Sequence, residues 1–178
     1  MKTFVLGLTL FRIVSGPVLF LLVIFFQAYF LAFSIFIIAS ITDYLDGKLA
    51  RDYKVESSLG ATLDPIADKI LVLFALFAIT VATKDPFIGS MSTVILAREF
   101  WVSALREHAA KNSLSYATKV TFLAKIKTTI QFLALALFFL GFSIDNALMI
   151  FLASFTLFLA LLISLKTALD YSAKVFKV

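Results

Sequence analysis

Six apolar stretches, each near the length that crosses a bilayer, govern what this chain can become. They run from about Leu8 to Phe26, Phe30 to Leu45, Leu63 to Ala82, Phe87 to Ala110 and Lys125 to Leu140, and from the Asp145-Asn146 break to near Tyr171. A helical span takes roughly 20 apolar residues, so 178 residues have room for little besides these stretches. The first stretch follows Lys2 as a signal peptide would. It is too long for the apolar core of one, lacks a small-x-small exit and leads straight into the second stretch, so it counts as structure. Composition agrees: 62% of the residues are hydrophobic and 15% charged, where a soluble domain averages about 25% charged. The fold expected is an all-α polytopic membrane protein. It would be a six-helix transmembrane bundle forming one domain over residues 1–178, with no internal repeat.

The distribution of basic residues orients that bundle. Lys48, Arg51 and Lys54 lie between stretches two and three, and Arg106, Lys111, Lys119, Lys125 and Lys127 between four and five. Lys2 and Arg12 mark the N-terminus, and Lys174 and Lys177 the C-terminus. The alternate breaks at Gln27-Ala28-Tyr29, Lys84-Asp85-Pro86 and Asp145 are nearly empty of unpaired positive charge. By the positive-inside rule both termini and the two basic loops face the cytoplasm. The net charge of +5 suits anionic lipid headgroups. Nucleic acid is not an expected partner, because there is no dense basic stripe with solvated flanks.

Charge beside a span is costly, about 2.5–3.5 kcal/mol per residue on insertion scales. Four carboxylates nevertheless stand there. Asp43 and Asp46 are three apart and share a helix face, and Asp64 and Asp68 are four apart and share another. A short connection makes the two helices antiparallel neighbours, so the four acids converge at one end. Protons or hard divalent cations would relieve their repulsion, and all-oxygen ligation suits Mg²⁺, Mn²⁺ or Ca²⁺. With no Cys and one His, a thiolate or His-rich zinc site is excluded. Gly47, Ala50 and Gly60 leave space beside the acids, and Arg51 offers a forked cation for phosphate. Residue types and spacing alone therefore describe a metal-bridged pyrophosphate site.

The same positions carry a family resemblance. Asp43, Asp46, Gly47, Ala50, Arg51, Gly60, Asp64 and Asp68, at these spacings, resemble the full signature of the CDP-alcohol phosphatidyltransferases. Leu8-Thr9-Leu10-Phe11-Arg12 with Pro17, Leu63 to Lys69, Ala97-Arg98-Glu99, Ser103 to Glu107 and Lys125-Ile126-Lys127 resemble the bacterial branch that takes glycerol 3-phosphate as acceptor. The Asn-Pro pair often found before Leu-Thr in that branch is replaced by Val5-Leu6-Gly7.

The resemblance implies a bacterial inner-membrane enzyme of the 2.7.8.5 class, acting at the cytoplasmic end of the bundle as a homodimer. It would transfer the phosphatidyl group of CDP-diacylglycerol to sn-glycerol 3-phosphate. Asp43, Asp46, Asp64 and Asp68 would hold two divalent cations, Mg²⁺ or Mn²⁺, and Asp68 would also take the acceptor proton. Gly47, Ala50, Arg51, Ser57 and Gly60 would form the CDP pocket. Arg98, Arg106, Lys125 and Lys127 are the candidates for the acceptor phosphate. For the two arginines the competing reading is ion pairing with Glu99 or Glu107. Another acceptor, such as inositol phosphate, serine or a phospholipid, would use the same acids. A cation- or proton-coupled transporter is the rival from a different class, but it would place its acids near mid-membrane, often with repeat symmetry.

Overall fold

A computed structural model describes residues 2–53, 58–112 and 115–176, with the side chains of residues 2, 3, 5, 44, 46–53, 58, 59, 61, 115 and 117 left aside. Within these residues lie six helices: α1 (Lys2–Phe26), α2 (Tyr29–Tyr53), α3 (Ser58–Thr83), α4 (Pro86–Lys111), α5 (Phe122–Ser143) and α6 (Ala147–Phe176). A 3-10 turn, Ser115–Thr118, precedes α5. Each expected stretch is a helix, usually longer by a turn or two of polar sequence. Four helices among the described residues contain segments long and apolar enough to cross a membrane: Leu6–Phe26, Thr62–Thr83, Phe122–Ser143 and Ala147–Phe176. The apolar part of α2, Tyr29–Asp43, is shorter, and α4 carries Arg98, Glu99, Arg106 and Glu107.

Local chemistry sets the helix ends. Asp85 caps α4 by accepting the Phe87 N–H at 2.8 Å, and Pro86 fills the first helical position, where no donor is needed. Thr121 caps α5 through the Ala124 N–H at 3.2 Å. Three turns place a non-glycine residue in the left-handed region: Gln27, Lys84 and Asp145, with φ of 50°, 53° and 48°. These turns close the α1–α2, α3–α4 and α5–α6 hairpins with two or three residues each. After α5, Asn146 N–H bonds Gly141 O at 2.9 Å and Asp145 N–H bonds Phe142 O at 3.4 Å, the Schellman pattern.

The helices pack on small residues. Ala32, Ala39, Ala75, Ala78, Ala134 and Ala153 are fully buried among Phe36, Leu76, Phe138 and Phe139. Small residues let helix backbones approach when lipid supplies no hydrophobic drive between helices. The outer surface is strongly apolar, with Phe25, Phe26, Leu148, Phe151 and Leu169 all more than half exposed. Such a surface calls for lipid around it. The arrangement corrects one expectation. α2 and α3 are not among the broadly packed pairs of the described residues; α1 instead packs along both. Gly16 permits the close α1–α3 approach, since a Cβ there would lie 3.1 Å from the backbone oxygen of Ile70.

Candidate active site

Thr9, Arg12, Ser15, Gly16, Leu19 and Val23 form the buried face of α1 at helical spacing. That face delivers two polar side chains to the acids. Arg12 is fully buried, and its Nη1 lies 3.0 Å from Asp43 Oδ1 on α2 and 2.7 Å from Asp68 Oδ1 on α3. Thr9 Oγ1 donates to Asp64 Oδ1 at 2.8 Å. Protons and metal ions were the two expected ways to relieve the carboxylates; a buried guanidinium is a third. Sequence reasoning read Arg12 as a topology marker and as part of a resemblance. The missed signal was an arginine inside an apolar helix, which is by default a functional-site residue.

Asp43 and Asp68 keep 44% and 43% of their side chains exposed. Each therefore pairs with Arg12 and still faces open space. Carboxylate oxygens so placed fit a hard divalent cation. Among the described residues no group of three or more metal-ligating side chains comes together. The Asp46 side chain, like those of Gly47, Ala50 and Arg51, lies outside them, although all four positions are on α2. Ser57 is outside the described residues altogether, and Gly60 is buried in the first turn of α3.

The open space is a cavity of about 970 Å³ whose lining includes Asp43 and Asp68 as well as Arg98, Arg106, Lys125 and Lys127. Two of the four acids and the expected phosphate-binding cations thus share one cavity, at the end of the bundle where α2 and α4 finish and α3 and α5 begin; Asp64 is not in its lining. The four cations are not equivalent. Arg98 is buried, and its fork is taken up by protein: Nε donates to Ser164 O at 3.0 Å, Nη2 to Thr167 Oγ1 at 2.6 Å and Nη1 to Glu99 Oε1 at 3.3 Å. Lys127 is also buried and hydrogen-bonded to Glu99 Oε1. One carboxylate oxygen on α4 therefore gathers cations from α4 and α5. Arg106 and Lys125 are exposed to the cavity. Arg106 does not pair with Glu107, whose partner is Lys111 at 2.7 Å; its Cζ sits 5.6 Å from the centre of the Tyr171 ring. His108 and Trp101 are exposed, with Trp101 Nε1 donating to Ser172 Oγ at 2.9 Å. The Lys127–Glu99 and Arg106–Tyr171 contacts had no local signal, because the partners are far apart along the chain, whereas Arg98 and Glu99 are neighbours in sequence and bear out the ion-pair reading for Arg98.

Apolar helices long enough to cross a membrane, with acids and cations around one end cavity, describe a helical membrane protein with a charged cavity. The family is shown directly. The model of the CDP-alcohol phosphatidyltransferases matches residues 6–165, and the chain belongs to that family. It is 44% identical over 144 residues to a CDP-diacylglycerol–glycerol-3-phosphate 3-phosphatidyltransferase of Cereibacter sphaeroides, covering 78% of this chain and 64% of that relative. Proteins of the same name from Salmonella choleraesuis and Escherichia coli are 39% and 38% identical, each over 72% of this chain and 72% of their own length.

Proposed function

We propose that the chain transfers the phosphatidyl group of CDP-diacylglycerol to the 1-hydroxyl of sn-glycerol 3-phosphate, giving phosphatidylglycerol phosphate and CMP. Family membership supports the donor and the reaction type, and the names of the similar proteins support the acceptor. The observation that carries the reading is one cavity lined by the acids Asp43, Asp68 and Glu99 together with the cations Lys69, Arg98, Arg106, Lys125 and Lys127. A phosphate-bearing acceptor can there sit beside carboxylates without meeting only negative charge. A transporter would account for neither the family nor this pairing.

Asp43, Asp46, Asp64 and Asp68 would hold two divalent cations, Mg²⁺ or Mn²⁺, and when bound these supply positive charge to the donor pyrophosphate. Gly47, Ala50, Arg51, Ser57 and Gly60 receive the CDP moiety. Arg12 holds Asp68 by Oδ1, which leaves Oδ2 to take the proton of the acceptor hydroxyl. The hydroxyl oxygen then bonds to the β-phosphorus, and the bond from that phosphorus to the CMP oxygen breaks. Arg106 and Lys125 contact the acceptor phosphate, and Lys127 and Arg98 add positive charge behind them. All six helices cross the bacterial inner membrane, both termini and the cavity face the cytoplasm, residues 1–178 act as one domain, and the enzyme is a homodimer. Purified protein given CDP-diacylglycerol and Mg²⁺ should release CMP with glycerol 3-phosphate. Release with inositol phosphate or serine instead would overturn the acceptor, and no release with any of them would overturn the activity.

A further inference from the structure

Tyr171 does not line the cavity, yet it touches both elements that carry the exposed cations. We infer that Tyr171 on α6 is a positioning residue for the acceptor end: its ring carries Arg106, and its hydroxyl ties down the start of α5, the helix bearing Lys125 and Lys127. The inference rests on the proposed binding of the acceptor phosphate by those cations.

The ring is almost wholly buried, packed with Val102, Leu105, Ala109, Ala168 and Val175 where α4 meets α6. It is therefore a fixed platform. Arg106 stands over it, with Cζ 5.6 Å from the ring centre. Among the described residues Arg106 joins no ion pair, since the neighbouring Glu107 is held by Lys111. An exposed arginine held by no carboxylate would otherwise sample many rotamers, and ordering it on ligand binding costs affinity. A cation–π contact reduces that loss and leaves the charge available. The hydroxyl lies close enough to the Arg106 guanidinium to interact with it, and it also acts on the other arm. It accepts the Thr121 N–H at 3.3 Å and donates to Lys119 O at 3.4 Å. Thr121 is the N-cap of α5, and its carbonyl takes the Lys125 N–H at 3.3 Å. Anchoring the cap sets where the first turn, and hence Lys125 and Lys127, enters the cavity wall.

The test is steady-state kinetics on Tyr171→Phe, Tyr171→Leu, Arg106→Ala and the Tyr171→Leu, Arg106→Ala double variant, with KM measured for both substrates. Tyr171→Phe removes only the hydroxyl and should raise KM for glycerol 3-phosphate about threefold. Tyr171→Leu also removes the platform and should raise it roughly tenfold, with KM for CDP-diacylglycerol within about twofold of the parent. In the Arg106→Ala background Tyr171→Leu should add no more than the loss seen with Tyr171→Phe, since the ring then has nothing to carry. Fully multiplying losses, or equal changes in both KM values, would overturn the inference. Should Tyr171→Leu fail to fold, Tyr171→Phe decides: a selective rise supports the inference and an unchanged acceptor KM overturns it. If Arg106→Ala leaves the acceptor KM unchanged while CMP release persists, the acceptor-pocket reading itself is wrong, and the inference falls with it.

Discussion

Arg12 is a buried cation serving two half-exposed acids. Removing one partner of a buried pair commonly costs 3–5 kcal/mol, and partial exposure of these acids places the expected cost at or below about 3 kcal/mol. Arg12→Met should therefore lower both the melting temperature in detergent and turnover. Mg²⁺ should recover more of the melting temperature in the variant than in the parent, which a thermal scan with and without the ion would show. Asp68→Asn separates chemistry from binding: turnover should vanish while CDP-diacylglycerol binding survives better than in Asp43→Asn or Asp64→Asn. A near-normal rate for Asp68→Asn would remove it as the base. Arg98 and Arg106 had equal standing in the sequence, eight residues apart on one helix. Their environments now divide them. Arg106→Ala should raise KM for glycerol 3-phosphate by roughly ten- to a hundredfold. Arg98→Ala should show chiefly as a lower melting temperature, because its fork holds α6. Comparable KM effects with unchanged melting would contradict that division.

The helices themselves were largely legible, because runs of apolar residues broken by Lys84-Asp85-Pro86 and Asp145-Asn146 leave few alternatives. Their neighbours were not. The short connection between Arg51 and Gly60 suggested that α2 and α3 pack directly, but chain proximity says nothing about a third helix. The signal for that helix is Gly16, where α1 approaches the Ile70 backbone. A side chain at position 16 cannot be accommodated by rotating a flexible tip, since the obstacle is a carbonyl oxygen. Gly16→Val should push α1 off α3 and draw Arg12 away from Asp68. The measurable result is a loss of melting temperature together with a loss of turnover, and retained activity would show that the α1–α3 spacing is not critical. At the opposite end, Lys84 adopts a left-handed conformation that costs an L-residue about 1–2 kcal/mol. Glycine there gives back part of that in unfolded-chain entropy, so Lys84→Gly should stabilise by up to about 1 kcal/mol, seen as a higher melting temperature.

For the molecule as a whole, the acidic pairs were readable because their spacing is local, and of the four acids Asp43 and Asp68 line the cavity, Asp64 meets Thr9, and the Asp46 side chain lies outside the described residues. The cationic half came out only as a set of candidates. Which cation is free and which is spent depends on Glu99, Ser164, Thr167 and Tyr171, and on contacts that join α4 to α5 and α6. If the acids hold divalent cations, a chelator should abolish CMP release and Mg²⁺ or Mn²⁺ should restore it; full turnover in excess chelator would refute the metal reading. The three short turns at Gln27, Lys84 and Asp145 have a mechanical consequence. Six rods joined in pairs at one rim are clasped again at the other by Arg12, Arg98 and Tyr171, so the cavity is walled by rods held at both ends. A crosslink joining α4 to α6 beside the Trp101–Ser172 contact should then leave the catalytic rate intact, and arrest by it would show that these tips must part.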